Sequence, residues 1–160
     1  MLRFHNFDIV FAEFPDETTL AINLTGCPNR CAGCHSPHLQ RDEGEPLDEA
    51  ALGALLARYG RAVTCIGFMG GDAQPAEVTR LAGWVRQQHP GLRTGWYSGR
   101  SEVPAEADAT AFDYIKLGPW IAAQGPLSAP TTNQRLYRIH SDGTREDLTG
   151  RFVQRKHQPL

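Results

Sequence analysis

Apolar residues recur along the chain with two spacings, one typical of strands and one typical of helices. The run 62–69 is almost continuously apolar, as expected for a strand that is buried on both faces of a sheet. Within residues 75–89, Val78, Leu81 and Val85 recur at helical spacing. The predicted elements are, in order, strand 19–24, helix 47–59, strand 62–69, helix 75–89, strands 93–97 and 112–117, and a hairpin over 136–144 with an Asp-Gly turn.

This alternation of strands and helices favours parallel β-α-β units and therefore an α/β fold. In such folds, active sites gather at the carboxyl ends of the strands. Polar or reactive residues follow three of the predicted strands: Cys27 the first, Gly70, Gly71 and Asp72 the second, and Ser98 the third. We therefore expect these residues to meet at one edge of the sheet.

Composition and charge narrow the class of protein. The 160 residues are 41% hydrophobic, which suits one domain, 1–160, with a packed core. The net charge is -2 and the basic residues are scattered, so we expect no nucleic-acid partner. No apolar run approaches the roughly 20 residues of a membrane helix, and the first residues lack the apolar stretch of a signal peptide. We therefore expect a cytoplasmic protein with no membrane association.

Three of the four cysteines, Cys27, Cys31 and Cys34, fall within one short segment. Clustered cysteines in a reducing compartment usually bind metal or act in redox chemistry. Iron–sulfur clusters are held by cysteine thiolates, usually four, so three thiolates would leave one iron open to another ligand. Cys65 lies in the apolar run 62–69, and we interpret it as a core residue. Trp84 and Phe112 are interpreted as packing residues as well.

A zinc site is the main alternative for the cysteine segment, with His35 or His38 as the fourth ligand. No second Cys-x-x-Cys pair follows, and His35 directly abuts Cys34, which is awkward for ligands of one metal. An electron-transfer ferredoxin is a further alternative, but it needs a fourth thiolate to close its cluster. No cysteine is well placed in the sequence to supply it.

The segment 69–72 and the segment 96–99 each end a predicted strand. Two adjacent glycines allow a backbone to approach a ligand closely, and Asp72 could accept hydrogen bonds from a cationic amino group. The simpler alternative is a strand-to-helix turn with Asp72 as the helix N-cap. Ser98 offers a hydroxyl group to a ligand, and the simpler alternative there is an ordinary Ser-Gly turn. Lys116, near the end of the next strand, is an additional candidate.

The Cys-x₃-Cys-x₂-Cys segment and the Gly-Gly-Asp run together resemble motifs of the radical S-adenosylmethionine (SAM) superfamily. Within it, the chain is similar to the activating proteins of anaerobic ribonucleoside-triphosphate reductases. The similar segments are 23–31, 68–72, 96–100, 113–118 and 131–137. The family motif has Glu where this chain has Asp72. The resemblance implies a compact, incomplete (β/α) barrel of the radical SAM type.

The resemblance also implies a function. Cys27, Cys31 and Cys34 would hold a [4Fe–4S] cluster, and Gly70, Gly71, Asp72 and Ser98 would bind SAM. The reduced cluster would cleave SAM, and the resulting radical would abstract a hydrogen atom from a glycine of the reductase. The implied partners are that reductase and a low-potential electron donor such as flavodoxin. The alternatives are a radical SAM enzyme acting on a small molecule, similar to the 7-carboxy-7-deazaguanine synthases, and a non-catalytic zinc-binding module.

Overall fold

Eight strands form one mixed sheet, accompanied by three helices, in the computed structural model, which describes residues 1–155. The strand order is β3-β1-β2-β4-β5-β6-β7-β8. The strands are β1 (Leu2–Val10), β2 (Thr19–Leu24), β3 (Glu45–Leu47), β4 (Cys65–Met69), β5 (Arg93–Tyr97), β6 (Tyr114–Leu117), β7 (Arg135–Ile139) and β8 (Arg145–Asp147). The helices are α1 (Glu49–Tyr59), α2 (Pro75–Gln88) and α3 (Gly150–Arg155).

The four central strands, β2, β4, β5 and β6, are parallel. Antiparallel pairs flank them, with β1 and β3 on one side and β7 and β8 on the other. The predicted α/β class with parallel β-α-β units is confirmed. Among the described residues, β3 and β8 are the outermost strands and do not pair with each other, so the sheet is open. The incomplete barrel stays a prediction.

Most predicted elements are present with shifted ends, whereas β1 and β3 were not predicted. The helix predicted over 47–59 begins at Glu49, because the Asp48 carboxylate accepts a hydrogen bond from Ala51 N at 2.8 Å and caps it. Leu47 belongs to β3 instead, where it pairs with Leu2. The hairpin predicted over 136–144 is present as β7 and β8.

One face of the sheet is covered by α1 and α2. Leu52 and Leu56 of α1 and Val78 and Leu81 of α2 are buried in one cluster with alternate residues of the parallel strands. Those strand residues include Ile22, Ile66, Phe68, Trp96 and Ile115. Phe112 is buried in this cluster and Trp84 packs against it, so both are packing residues as predicted.

The opposite face of the sheet carries a smaller cluster built around Phe14 in the β1–β2 loop. The Phe14 ring stacks on Tyr114 and lies edge-on to Tyr97. Cys65 and Leu136 are buried in the same cluster, and Met69 packs against it. The interpretation of Cys65 as a core residue is therefore confirmed. This cluster extends along the face as far as Met69 and Tyr97, the last residues of β4 and β5.

The buried carboxylate of Glu17 anchors the β1–β2 loop at the amino-terminal end of the parallel strands. It accepts hydrogen bonds from Thr64 Oγ1 at 2.5 Å and from the Tyr114 hydroxyl at 3.0 Å. It also forms an ion pair with Arg93 at 3.1 Å. Within residues 1–155, no helix has the length and apolar character needed to cross a membrane.

Candidate functional site

Three loops meet at the carboxyl ends of β2, β4 and β5. They are the segment 25–36 after β2, which contains the three clustered cysteines and is called the cysteine loop below, the turn 70–72 after β4, and the segment 98–100 after β5. This is the edge of the sheet at which the sequence predicts a site. The side chain that connects all three loops is Asp72, through hydrogen bonds to each neighbour.

The cysteine loop has no regular secondary structure, and its base is fixed by backbone hydrogen bonds. Gly26 N donates to Arg41 O at 2.9 Å, and Cys27 N donates to Leu39 O at 3.0 Å. Further along, Cys34 N donates to Cys31 O at 3.1 Å and forms a tight turn. Gly26, Arg30 and Gly33 all adopt positive φ, which lets the chain reverse repeatedly within ten residues.

The three clustered thiols are free and half-buried, whereas the Cys65 thiol is fully buried. Ser36 N–H donates to Cys34 Sγ at 3.4 Å, the kind of N–H···S contact that tunes iron–sulfur clusters. Across residues 1–155, no group of three or more His, Cys, Asp and Glu side chains lies close enough together to hold a metal ion. The structure therefore brings the cysteines into one loop without gathering their sulfur atoms.

The two histidines considered as zinc ligands pack against aromatic rings. The His35 ring lies 4.4 Å from the Trp120 ring, and the His38 ring lies 4.9 Å from the His5 ring. Each imidazole thus has an aromatic neighbour, and the zinc alternative stays a prediction.

Gly70 and Gly71 both adopt positive φ, at 103° and 90°, which explains why glycine occupies both positions. Their surroundings differ. A Cβ on Gly71 would lie 2.6 Å from Val78 Cγ2 and 2.9 Å from Leu24 Cδ1, so this glycine makes room for the core. Gly70 is held by β5, since its N–H donates to Tyr97 O at 2.9 Å and its carbonyl accepts from Trp96 Nε1 at 2.8 Å.

Asp72 is 5% exposed, and its carboxylate accepts three hydrogen bonds. Ser98 Oγ donates to Oδ1 at 2.6 Å, while Gly99 N–H at 2.8 Å and Asn29 Nδ2 at 2.5 Å donate to Oδ2. Asp72 is not the cap of the following helix, because α2 begins at Pro75 after Gln74. The alternative of a simple helix N-cap is therefore wrong.

Ser98 is fully buried, and its hydroxyl group is engaged by protein atoms. The hydroxyl donates to Asp72 and accepts from Arg100 N at 3.1 Å. Its backbone N–H donates to Lys116 O, which continues the pairing of β5 with β6. Ser98 thus holds Asp72 in place, and a direct contact between Ser98 and a ligand stays a prediction.

Lys116 lies on the face of β6 that the helices do not cover, with its ammonium group 5.1 Å from the centre of the Tyr97 ring. Burial lowers the pKa of Lys116, while the nearby groups Asp72, Cys31 and Glu13 favour its charged form. Lys116 is therefore a half-buried cation whose charge interacts with both the cysteine loop and Asp72. Its proximity to both motifs supports it as an additional site residue.

An open cleft of about 740 Å³ adjoins Asp72. Its lining combines the cysteine loop, the start of α2 and the loop after β5, with Pro28, Pro75, Arg100 and Glu102 among the lining residues. A volume of this size is in the range of pockets that bind nucleoside-sized ligands. The carboxylate that connects the three loops therefore borders a cavity large enough for such a ligand.

Comparison of the chain with protein-family models, with curated proteins and with solved structures finds no match.

The sequence did not point to Asn29 as a site residue, nor to the contact of Gly99 with Asp72. Asn29 carries no periodic signal, and only its position between two clustered cysteines distinguishes it. Gly99 looks like part of an ordinary Ser-Gly turn. A Cβ on Gly99 would lie 2.5 Å from Asn29 Nδ2, a constraint that only the folded structure reveals.

Proposed function

We propose that this protein is a radical SAM activating enzyme that generates the glycyl radical of an anaerobic ribonucleoside-triphosphate reductase. The observation that carries the proposal is the Asp72 carboxylate, which joins the cysteine loop to the turn after β4 and the end of β5. We further propose that the parallel strands and their flanking helices correspond to the incomplete (β/α) barrel of that superfamily.

The turn after β4 fits the amino group of SAM. A carboxylate offers about four lone-pair positions, and protein donors use three of those on Asp72. One position is left for an ammonium group, whose charge would offset the buried negative charge of Asp72. The backbone at Gly70 carries no side chain that would obstruct the ligand, and the adjoining cleft is large enough for the adenosine portion.

The chemistry of the cysteine loop suits a [4Fe–4S] cluster with one open iron, and its three sulfur atoms would have to move together to bind that cluster. Cys27, Cys31 and Cys34 are half-buried and free, and an N–H donor already faces one sulfur. Cys65 is enclosed in the core around Phe14 and cannot serve as a fourth ligand. When bound, the cluster would supply the electron that cleaves SAM. The half-buried cation of Lys116 lies where it would partly balance the negative charge of the bound groups.

A protein substrate suits the form of this site. The cleft is bordered by the exposed residues Pro28, Arg100 and Glu102 rather than by a lid, so a loop of another protein could enter it. A glycine in that loop presents its Cα hydrogen without a shielding Cβ. We therefore propose the anaerobic reductase as the partner and a low-potential donor such as flavodoxin as the source of electrons, in the cytoplasm.

The decisive experiment mixes anaerobically reconstituted protein, SAM, a reductant and the anaerobic reductase of the same cell. The expected result is a doublet glycyl-radical signal in electron paramagnetic resonance, with release of methionine and 5′-deoxyadenosine. Release of 5′-deoxyadenosine that depends on a small-molecule extract while the reductase stays silent would replace the protein substrate by a metabolite. A colourless protein that binds zinc and no iron would overturn the proposal altogether.

A further inference from the structure

The side chain of Asn29 reaches out of the cysteine loop to Asp72. Its Nδ2 lies 2.5 Å from Asp72 Oδ2. An ionised carboxylate can only accept hydrogen bonds, so the amide must present its NH₂ group, and this fixes its orientation. Asn29 lies between Cys27 and Cys31, so the position of its amide constrains the backbone that carries both thiols.

Gly99 makes this contact possible. A Cβ at position 99 would lie 2.5 Å from Asn29 Nδ2, 3.3 Å from Asn29 Cγ and 3.4 Å from Asp72 Oδ2. Gly99 does not adopt the left-handed backbone that would itself require glycine, so the reason for glycine here is space. Its N–H donates to the same Oδ2 atom that accepts from Asn29. The amide of Asn29 thus lies over a residue without a side chain.

We propose that Asn29 is a positioning residue of the SAM site. Its amide lies over Gly99 and binds Asp72, so the position of the cysteine loop and the binding of the ligand's amino group depend on the same carboxylate. The inference rests on the proposed function and adds a residue and a coupling to it. Asp72 orients the loop through one oxygen and is itself oriented by Ser98 through the other. Loss of the Asn29 amide would remove the hydrogen bond between this part of the loop and Asp72, and with it one of the three hydrogen bonds that orient the carboxylate.

The hydrogen bond between Asn29 and Asp72 can be tested without any cofactor, by hydrogen–deuterium exchange of the purified protein. Asn29→Ala removes the donor, and Gly99→Ala displaces it without removing a polar group. Both variants should accelerate exchange of the peptide 27–36 by about tenfold or more, because a hydrogen bond to a charged group contributes that much. Arg30→Asn is the matched control, since Arg30 is exposed in the same loop and Asn tolerates its positive φ.

The coupling is tested by comparing two ligands on anaerobically reconstituted protein. SAM carries the amino and carboxylate groups of its methionine part, whereas 5′-methylthioadenosine lacks both of these groups. Asn29→Ala and Gly99→Ala should weaken SAM binding by about tenfold or more and leave the affinity for 5′-methylthioadenosine within twofold. A merely structural role would weaken both ligands equally, and that result would overturn the inference.

The two arms separate this inference from the proposed function. If the wild-type protein binds SAM and both Asn29→Ala and Gly99→Ala bind it with unchanged affinity, the inference is wrong and the proposed function is unaffected. If the wild-type protein binds no SAM, the proposed function is wrong. The exchange rates of peptide 27–36 would then test only the hydrogen bond between Asn29 and Asp72. Thermal unfolding of each variant checks that the fold is retained.

Discussion

The ring of Phe14 lies directly against the bare Cα of Gly95. A Cβ added to Gly95 would be 2.3 Å from Phe14 Cζ, and one added to Gly67 on the neighbouring strand would be 3.2 Å from Phe14 Cε2. Two glycines in adjacent parallel strands therefore form the floor on which the β1–β2 loop packs. The loop depends on these glycines for its position over the sheet.

Gly95→Ala should destabilise the protein by about 1–3 kcal/mol, because the extra methyl group forces the ring of Phe14 out of its packed position. Gly83→Ala is the matched control. Apart from the adjoining backbone of α2, no atom of residues 1–155 lies within 4 Å of a Cβ at position 83, so alanine should stabilise that helix by about 0.5–1 kcal/mol. Urea unfolding of both variants measures the difference. A Gly95→Ala variant as stable as the wild type would contradict the packing argument.

Replacement of single cysteines should divide them into two groups. Cys27→Ala, Cys31→Ala and Cys34→Ala should each lose most of the iron and sulfide after anaerobic reconstitution, because three thiolates are already one fewer than a cluster usually has. Cys65→Ala should retain the wild-type content, since its thiol is enclosed in the core. Iron and sulfide analysis with the brown absorbance decides the assignment. Loss of the cluster from Cys65→Ala alone would refute it.

Glu17→Gln should destabilise the protein by about 1–3 kcal/mol. The glutamine would keep the acceptor oxygen but lose the charge that pairs with Arg93, and its NH₂ group would face a hydroxyl donor. Glu146→Gln is the control, because the Glu146 side chain is exposed and its pair with His140 should contribute less than about 1 kcal/mol. Equal unfolding midpoints for the two variants would show that the buried network contributes nothing.

Stability should fall in alkaline solution. Burial raises the pKa of the Cys65 thiol and the pKa of Tyr97, and it raises the pKa of Tyr114 to about 12. The unfolded chain ionises these groups at their ordinary values, roughly 8.5 for Cys and 10 for Tyr. The contribution of these three groups to stability is therefore constant below those values, and above them it falls as the pH rises, because the unfolded state has lost protons that the native state retains.

The contribution of the thiol can be isolated by comparing the wild type with Cys65→Ala between pH 8.5 and 10. The unfolding free energy of the wild type should fall more steeply, by up to about 1.4 kcal/mol per pH unit. Urea titrations at several pH values provide the slopes. Parallel slopes for the two proteins would show that the Cys65 thiol does not resist ionisation in the native state.

The parallel centre of the fold was predictable because β4 is apolar on both faces and the strands alternate with amphipathic helices. The strands β1 and β3 were not, because their pattern is weak. β1 has a bulge between Phe4 and Asn6 that breaks the alternation of buried and exposed positions, and β3 has only three residues. β1 is a strand because β2 offers it backbone partners, and β3 is a strand because β1 does, which is tertiary information.

The candidate site, like the fold, has features that the sequence predicts and features that it does not. The spacing of the cysteines and the Gly-Gly-Asp run directed attention to the correct edge of the sheet, since residues after parallel strands share one edge. Contacts between individual residues could not be predicted from the sequence, because partners such as Asn29 and Asp72 lie 43 positions apart in the chain. Gly71 looked like a place for ligand approach, yet its neighbours Val78 and Leu24 show that the core also requires glycine there.

The outermost strands β3 and β8 limit how another protein can be recognised. β3 contains Pro46, which has no N–H to donate, and β8 consists of the three exposed charged residues Arg145, Glu146 and Asp147. Partners that bind by β-augmentation need a row of unpaired backbone groups on an accessible edge, and proline and charge discourage such pairing. A protein partner is therefore expected to be selected by side chains around the cleft, and its binding should be sensitive to salt and indifferent to changes along either edge.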